Sequence, residues 1–205
     1  MALASAIVTN IRALTDHDTD TQVTDPQLFA WISTEYFAIR RTLNRVVPTL
    51  YVNTVSFTIS SGNTYTIVAT DFESIRRLQR LAGDSTYYAV KQASPLDPEL
   101  ARSIAFLKRG SVLEFYPSQA ATGSYKLTYM TKPTQITAGG DTVDVPEGVD
   151  EVIAQKVSAK VRTRLNDSPT VHMEAADALW KEAKRQLQRD YGIHRLGLIE
   201  SSEDN

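Results

Sequence analysis

Acid–base, nucleophilic and metal chemistry each need particular side chains at particular spacings, and this 205-residue chain offers few candidates. Its three histidines, His17, His172 and His194, stand far apart. None forms the H-x-x-x-H or H-E-x-x-H spacing that sets two ligands on one helix face, so each reads as an exposed or capping imidazole. No cysteine occurs, which excludes disulfides, thiolate nucleophiles and Cys-ligated zinc or iron–sulfur sites. Asp16, Asp18 and Asp20 take the first three ligand spacings of an EF-hand loop. Thr21 then stands where that loop needs Gly, and Gln27 where it needs a bidentate Glu, so the segment reads as a solvated acidic turn. No serine lies in G-x-S-x-G, and neither phosphate-cradling glycine motif is present. The expectation is a protein that is not an enzyme, with no catalytic residues, cofactor or metal.

Positive charge is the other chemistry the chain could use. Basic pairs occur at Arg40-Arg41, Arg76-Arg77, Lys108-Arg109 and Lys184-Arg185. Each reads as a solvated face or an ion-pair partner, against contact with a DNA backbone or an acidic partner. Arg76, Arg77 and Arg80 lie on an otherwise apolar strand; with Lys108 and Arg109 they are the candidates for DNA or partner contact. Lys and Arg total 22 against 24 Asp and Glu, a formal charge of -2, so the whole chain makes no case for a nucleic-acid or anionic-membrane binder. No apolar run is long enough to span a bilayer. The apolar start Met1 to Val8 lacks a basic leader and is interrupted by Asn10 and Arg12, so a cytosolic product is expected.

These residues must be positioned by elements that the periodicity predicts. Leu3, Ile7, Ile11 and Leu14 make a short helix; Asp25-Pro26 then caps and starts another, with Leu28, Ile32, Tyr36, Ile39, Leu43 and Val46 as its stripe. From Leu50 the period falls to two. Val55, Phe57 and Ile59 predict a strand that turns at Ser61-Gly62-Asn63 into Tyr65 and Ile67 as a β-hairpin. Ile75 to Leu81, Tyr87 to Val90, and a pair of strands joined at Arg109-Gly110 come next, then Tyr125 to Met130 in clean alternation. A short helix is expected to start near Asp97-Pro98, a flexible return from Thr137 to Thr142, and core packing for Tyr51, Tyr65, Tyr87, Tyr88, Tyr116, Tyr125 and Tyr129.

Val145-Pro146-Glu147 opens a third helix, where Val149, Ile153, Val157, Val161 and Leu165 recur every fourth residue and Lys156, Lys160, Arg162 and Arg164 leave a basic outer face. Asn166 to Pro169 stops it. A fourth helix carries Met173, Ala176, Trp180, Ala183, Leu187 and Tyr191 before Gly192 offers a C-cap. The expected fold is therefore α+β: a helical bundle from residues 1-48 and 144-193, an inserted antiparallel β-rich subdomain of about five to seven strands over 50-143, and an extended C-terminal arm, 194-205, ending in a disordered polar tail.

The order of these signatures resembles the head-to-tail adaptor, or connector, proteins of tailed bacteriophages. The marks are Thr64-Tyr65-Thr66-Ile67 running to Asp71-Phe72 and Ile75-Arg76-Arg77-Leu78; the strand pair Phe106 to Pro117; Tyr125-Lys126-Leu127-Thr128-Tyr129; and Val145-Pro146-Glu147 leading to an Ala-rich helix that ends at Asn166-Asp167. Ala69-Thr70 stands where the pattern has Pro before Asp71. The resemblance implies a structural virion protein, made in the host cytoplasm and placed at the neck. It implies a homo-oligomeric ring, commonly of twelve copies, between portal protein and tail. Such a ring completes a channel that passes double-stranded DNA without sequence specificity. Within it, Leu196, Leu198 and Ile199 would anchor the arm to the portal. Two rivals remain: a nucleic-acid-binding module using the basic strand, and an enzyme with a cleft between bundle and insert, which would need a buried polar constellation.

Overall fold

The computed structural model describes residues 1–16, 22–83, 85–93 and 103–191. In chain order the elements are β1 (Ala2–Leu3), α1 (Ala4–Thr15), α2 (Asp25–Val46), β2 (Val52–Ile59), β3 (Thr64–Thr66), β4 (Phe72–Leu81), β5 (Tyr87–Ala89), β6 (Lys91–Gln92), β7 (Ala105–Arg109), β8 (Val112–Tyr116), β9 (Gly123–Thr131), β10 (Thr142–Val143), α3 (Val149–Arg164) and α4 (Thr170–Asp190). The fold is α+β, in two compact units: residues 1–50 with 133–205, and residues 51–132. The insert is expected to run to 143; residues 133–143 instead group with the helices, where β10 pairs with β1.

In the first unit α3 is the axis, and α1, α2 and α4 all pack against it. The reason is its composition: besides Val149, Ile153, Val157 and Val161, it buries Val152, Ala154, Ser158 and Ala159, which spreads apolar surface around the helix rather than along one stripe. Pro146 is not its first residue. The helix begins at Val149, whose N–H donates to the Pro146 carbonyl (3.2 Å), after Gly148 at φ +79 turns the chain in the left-handed region. Asp150 and Glu151 remain in the first turn, where the helix dipole favours them.

The cap of α2 sits one residue earlier than the Asp25-Pro26 pair suggests. Thr24 is the cap, and Gln27 Oε1 accepts from the Thr24 N–H at 3.0 Å. Arg40 is not a solvated cation: it is buried, donates to the Tyr36 hydroxyl at 2.8 Å and approaches Asp144 at 3.5 Å. Leu3 is 51% exposed because it belongs to β1 rather than to the buried face of α1, which Ala4, Ile7, Val8 and Ile11 form. Residues 137–142, expected as a flexible return, are tied down. The Asp141 carboxylate accepts from the Thr137 and Ala138 N–H groups (2.6 and 2.8 Å), while the Asp141 and Gly139 carbonyls accept from Ala4 and Ser5 (2.9 and 3.0 Å). That loop thereby satisfies N–H groups that the first turn of α1 leaves open. The bonds to its carboxylate also hold the Asp141 carboxyl below its ordinary pKa, the Thr137 N–H contributing most.

α4 buries His172, Ala176, Ala183 and Leu187. The expected stripe through Met173 is shifted by one residue at its start, leaving Met173 57% exposed, Trp180 half-buried and Tyr191 exposed. The cap expected at Gly192 lies outside the described residues.

The second unit holds two four-stranded sheets, ordered β2-β9-β4-β5 and β3-β8-β7-β6. The expected β2–β3 hairpin does not form. β2 has eight residues and finds a full-length antiparallel partner in β9, from Val52↔Met130 to Ile59↔Gly123, whereas the three residues of β3 pair with β8 in the other sheet. Gly62, at φ +75, turns the chain, and the Phe115 N–H donates to the Asn63 carbonyl at 2.8 Å. The insert is also not wholly antiparallel: β6 runs parallel to β7, separated by enough chain for the crossover this requires. The β7–β8 hairpin forms as expected around Gly110, φ +59. Eight strands, more than the five to seven expected, lie in this unit among the described residues. The helix start expected near Asp97-Pro98 lies outside them.

Inner faces of the two sheets share one core, containing Ile59, Leu78, Phe106, Leu113, Phe115, Tyr125, Leu127 and Tyr129. Phe57 stacks between Tyr65 and Tyr125, with ring centroids at 3.6 and 5.4 Å. Tyr87 and Tyr88 are not core residues; on the short strand β5 both are exposed. The unit's two ends meet: the Thr131 N–H donates to the Tyr51 carbonyl at 3.0 Å. Leu127 sits at the centre with no exposed surface. Leu127→Ala is expected to cost about 2–5 kcal/mol of unfolding free energy, measured by denaturant titration.

Candidate functional site

The structure does not gather the five basic candidates on one surface. A bulge between Ile75 and Arg77 resets the alternation of β4, so that Ile75 and Leu78, three residues apart, both face the core opposite Tyr129 and Leu127. Arg77 then falls opposite Thr128 on the outer face, while Arg80 falls opposite Tyr125 on the inner one. Arg80 donates to the Thr122 carbonyl at 2.5 Å and lies 6.0 Å from the Tyr125 ring centroid. Arg76 rests against the Met130 sulfur at 2.8 Å. Lys108 and Arg109 are on the other sheet: the Lys108 ammonium sits 5.4 Å from the Phe72 ring, and Arg109 Nε reaches Glu114 at 3.1 Å. Ile75 and Leu78 stand three apart in the sequence, a spacing that regular alternation cannot put on one face and the bulge can.

Leu196, Leu198 and Ile199, with His17, His194, Asp18 and Asp20, lie outside the described residues. Asp16 closes α1 in the left-handed region at φ 56. Among the described residues no group of three His, Cys, Asp or Glu side chains could hold a metal ion, and no helix is long and apolar enough to cross a membrane.

His172 corrects the expectation of an exposed imidazole. It is 9% exposed, and its Nδ1 lies 2.8 Å from Gln155 Oε1 of α3. Desolvation, with a smaller repulsion from Arg162, lowers its pKa from the ordinary 6.5. The position sits at the fourth-residue spacing before Ala176, which was the available sequence signal for burial.

The helical unit carries an open groove of about 520 Å³ between α2 and α4 with α3 as its floor. Trp31 lines the α2 wall, while Met173 and Ala176 line the α4 wall. Along the floor run Lys156, Lys160 and Arg164, each four residues from the last and so on one helix face. Glu35, on the α2 side, approaches Lys160 at 2.6 Å and Lys156 at 3.7 Å. The spacing of the three basic residues was readable; the wall that Trp31 and Glu35 add one helix away was not. The groove combines an apolar lining with a row of cations, two of them paired with Glu35, and Asp177 adds a second carboxylate. Nothing in it aligns a nucleophile with a base.

Residues 2–197 match the profile of the SU10 adaptor protein family. The chain belongs to that family. The match takes in both compact units of this adaptor, helices and sheets alike. Among solved structures, the adaptor is similar to a chain described as "Neck of empty GTA particle computed with C6 symmetry", at 9% identity and a TM-score of 0.26, covering 77% of this chain and 79% of that one. Among curated proteins, none matches it.

For this adaptor the burial of His172 has a pH consequence. Its folded pKa is depressed, so the unfolded chain takes up a proton first. The stability that the neutral imidazole provides is complete above the unfolded value of 6.5 and is lost as pH falls from there through the lower folded value. Unfolding curves from pH 8 down to 5 are expected to show this loss in the parent chain, and a flatter profile in His172→Leu.

Proposed function

We propose that this chain is a non-enzymatic virion protein of the phage neck, assembled as a homo-oligomeric ring of about twelve copies between the portal and the tail. The observation that carries this reading is the family match over residues 2–197. In this role the ring completes the channel for double-stranded DNA and offers a docking surface to tail proteins. Helices α1 to α4 form its bundle, residues 51–132 are carried as an insert, and residues 194-205 form an arm whose Leu196, Leu198 and Ile199 anchor on the portal. A closed ring of identical subunits needs heterologous contacts, one face of a copy meeting a different face of the next. The lumen needs no base readout, in keeping with Arg76, Arg77 and Arg80 facing different ways.

The mass of the purified protein, alone and mixed with its portal, tests this reading. A discrete ring-sized complex is expected with the portal. Truncation after His194 is expected to abolish portal binding; a truncated chain that still bound would remove the anchoring role from the arm. A monomer indifferent to the portal that bound DNA, with affinity falling steeply as salt rises, would favour a nucleic-acid-binding module instead.

A further inference from the structure

The outer face of the β2-β9-β4-β5 sheet is polar and positive, and two of its cations meet no carboxylate. Strand register sets three successive rows across it: Thr58 beside Ser124, Ser56 beside Lys126 and Gln79, and Thr54 beside Thr128 and Arg77. Hydroxyl contacts from Thr54 to Thr128 at 3.4 Å and from Thr58 to Ser124 at 3.2 Å confirm that these side chains share a face. Arg76, the extra residue of the bulge, lies against Met130, which alternation places on the same side of β9 as Thr128. The Lys126 ammonium stands 5.8 Å from the Tyr87 ring centroid, and neither Lys126 nor Arg77 is in an ion pair among the described residues.

The sign of this face is local. The chain as a whole has more acidic than basic residues, yet β2, β5 and β9 contain no Asp or Glu, and β4 contains only Glu73, near its start. Its chemistry also selects the occupant. A protein–protein interface concentrates aromatic and apolar side chains at its centre. The central rows here hold hydroxyls, an amide and cations, with Ala89 at the β5 edge. Arg, Lys, Ser, Thr and Gln are the side chains that hold phosphate oxygens of a DNA backbone. Arg77 and Lys126 are one strand and two residues apart, about 8 Å from the spacing and rise of a sheet. A duplex presents about five charges over that length.

We propose that this face binds the phosphate backbone of double-stranded DNA, with Arg76, Arg77 and Lys126 supplying charge and Thr54, Thr128 and Gln79 supplying hydrogen bonds. A four-stranded face is too broad to enter a groove that admits a helix or a two-stranded ribbon, so the contact is independent of sequence. The face stands on its own side chains; that it lines the channel rests on the ring reading above. In such a ring each copy makes a weak, salt-dependent contact, which holds a duplex centred and leaves it free to slide.

The test follows amide NMR spectra of the isotope-labelled full chain as a short duplex is added at low salt. Expected are shift changes confined to β2, β4 and β9, alike for duplexes of different sequence, with log affinity falling against log salt at a slope between about −2 and −3. Arg77→Glu/Lys126→Glu is expected to abolish the changes, Lys126→Ala to reduce the slope by about one, and Arg109→Ala, on the other sheet, to leave both unchanged. A parent chain without shifts on this face would overturn the proposal. So would equal shifts from polyglutamate, which would assign the face to an acidic protein segment. Portal binding is scored separately: a chain that binds DNA here and ignores the portal keeps this face and removes the ring, and one that joins the portal with no shifts does the reverse.

Discussion

The helical unit depends on the burial of α3. A helix with valine, isoleucine, alanine and serine spread around its circumference cannot rest on one neighbour, because whichever side faced water would expose apolar surface. Three helices, drawn from both ends of the chain, cover it. That requirement brings residues near the start of the chain together with residues from about 150 onwards, and it fixes the return of 133–143 as part of the same unit. Even the first turn of α1 relies on this return, since its N–H groups bond to the carbonyls of Gly139 and Asp141. A polar loop thus becomes structural because a helix terminus needs acceptors.

Helices were the more legible part of the fold. Periodicity located the four α-helices of the described residues, because a stripe every third or fourth residue survives small errors in boundaries. The missed details are those in which a neighbour decides: Thr24 in place of Asp25 as a cap, His172 in place of Met173 on the buried face, and Arg40 buried beside the Tyr36 hydroxyl. The longer strands were legible for the same reason, whereas the two-residue β1, β6 and β10 were not. Partners were not, because period-two alternation states which residues share a face and says nothing of which strand lies alongside. The Ser61-Gly62-Asn63 turn suggested a hairpin, yet β2 could pair over its full length only with β9, and the short β3 went to the other sheet.

For the candidate site, the basic row on α3 was visible as Lys156, Lys160 and Arg164, while the groove it floors was not, since Trp31 and Glu35 come from a helix more than a hundred residues earlier. The basic residues of β4 show the reverse failure. They lie close together in sequence, and strand alternation with one extra residue divides them between two faces. Surfaces assembled from distant segments are what a single sequence shows least.

The meeting of Tyr51 and Thr131 has a consequence in polymer terms. A connection between two elements costs configurational entropy according to how far its ends must be restrained. Here the backbone bond between those two residues closes the loop from within, so the β unit fixes its own end-to-end distance as it folds. To the chain that leaves α2 and resumes at Pro133, the whole β unit acts as a tether of fixed span rather than a long random coil. Changes confined to strands other than β2 and β9, whose pairing brings the two ends together, would leave that span unchanged.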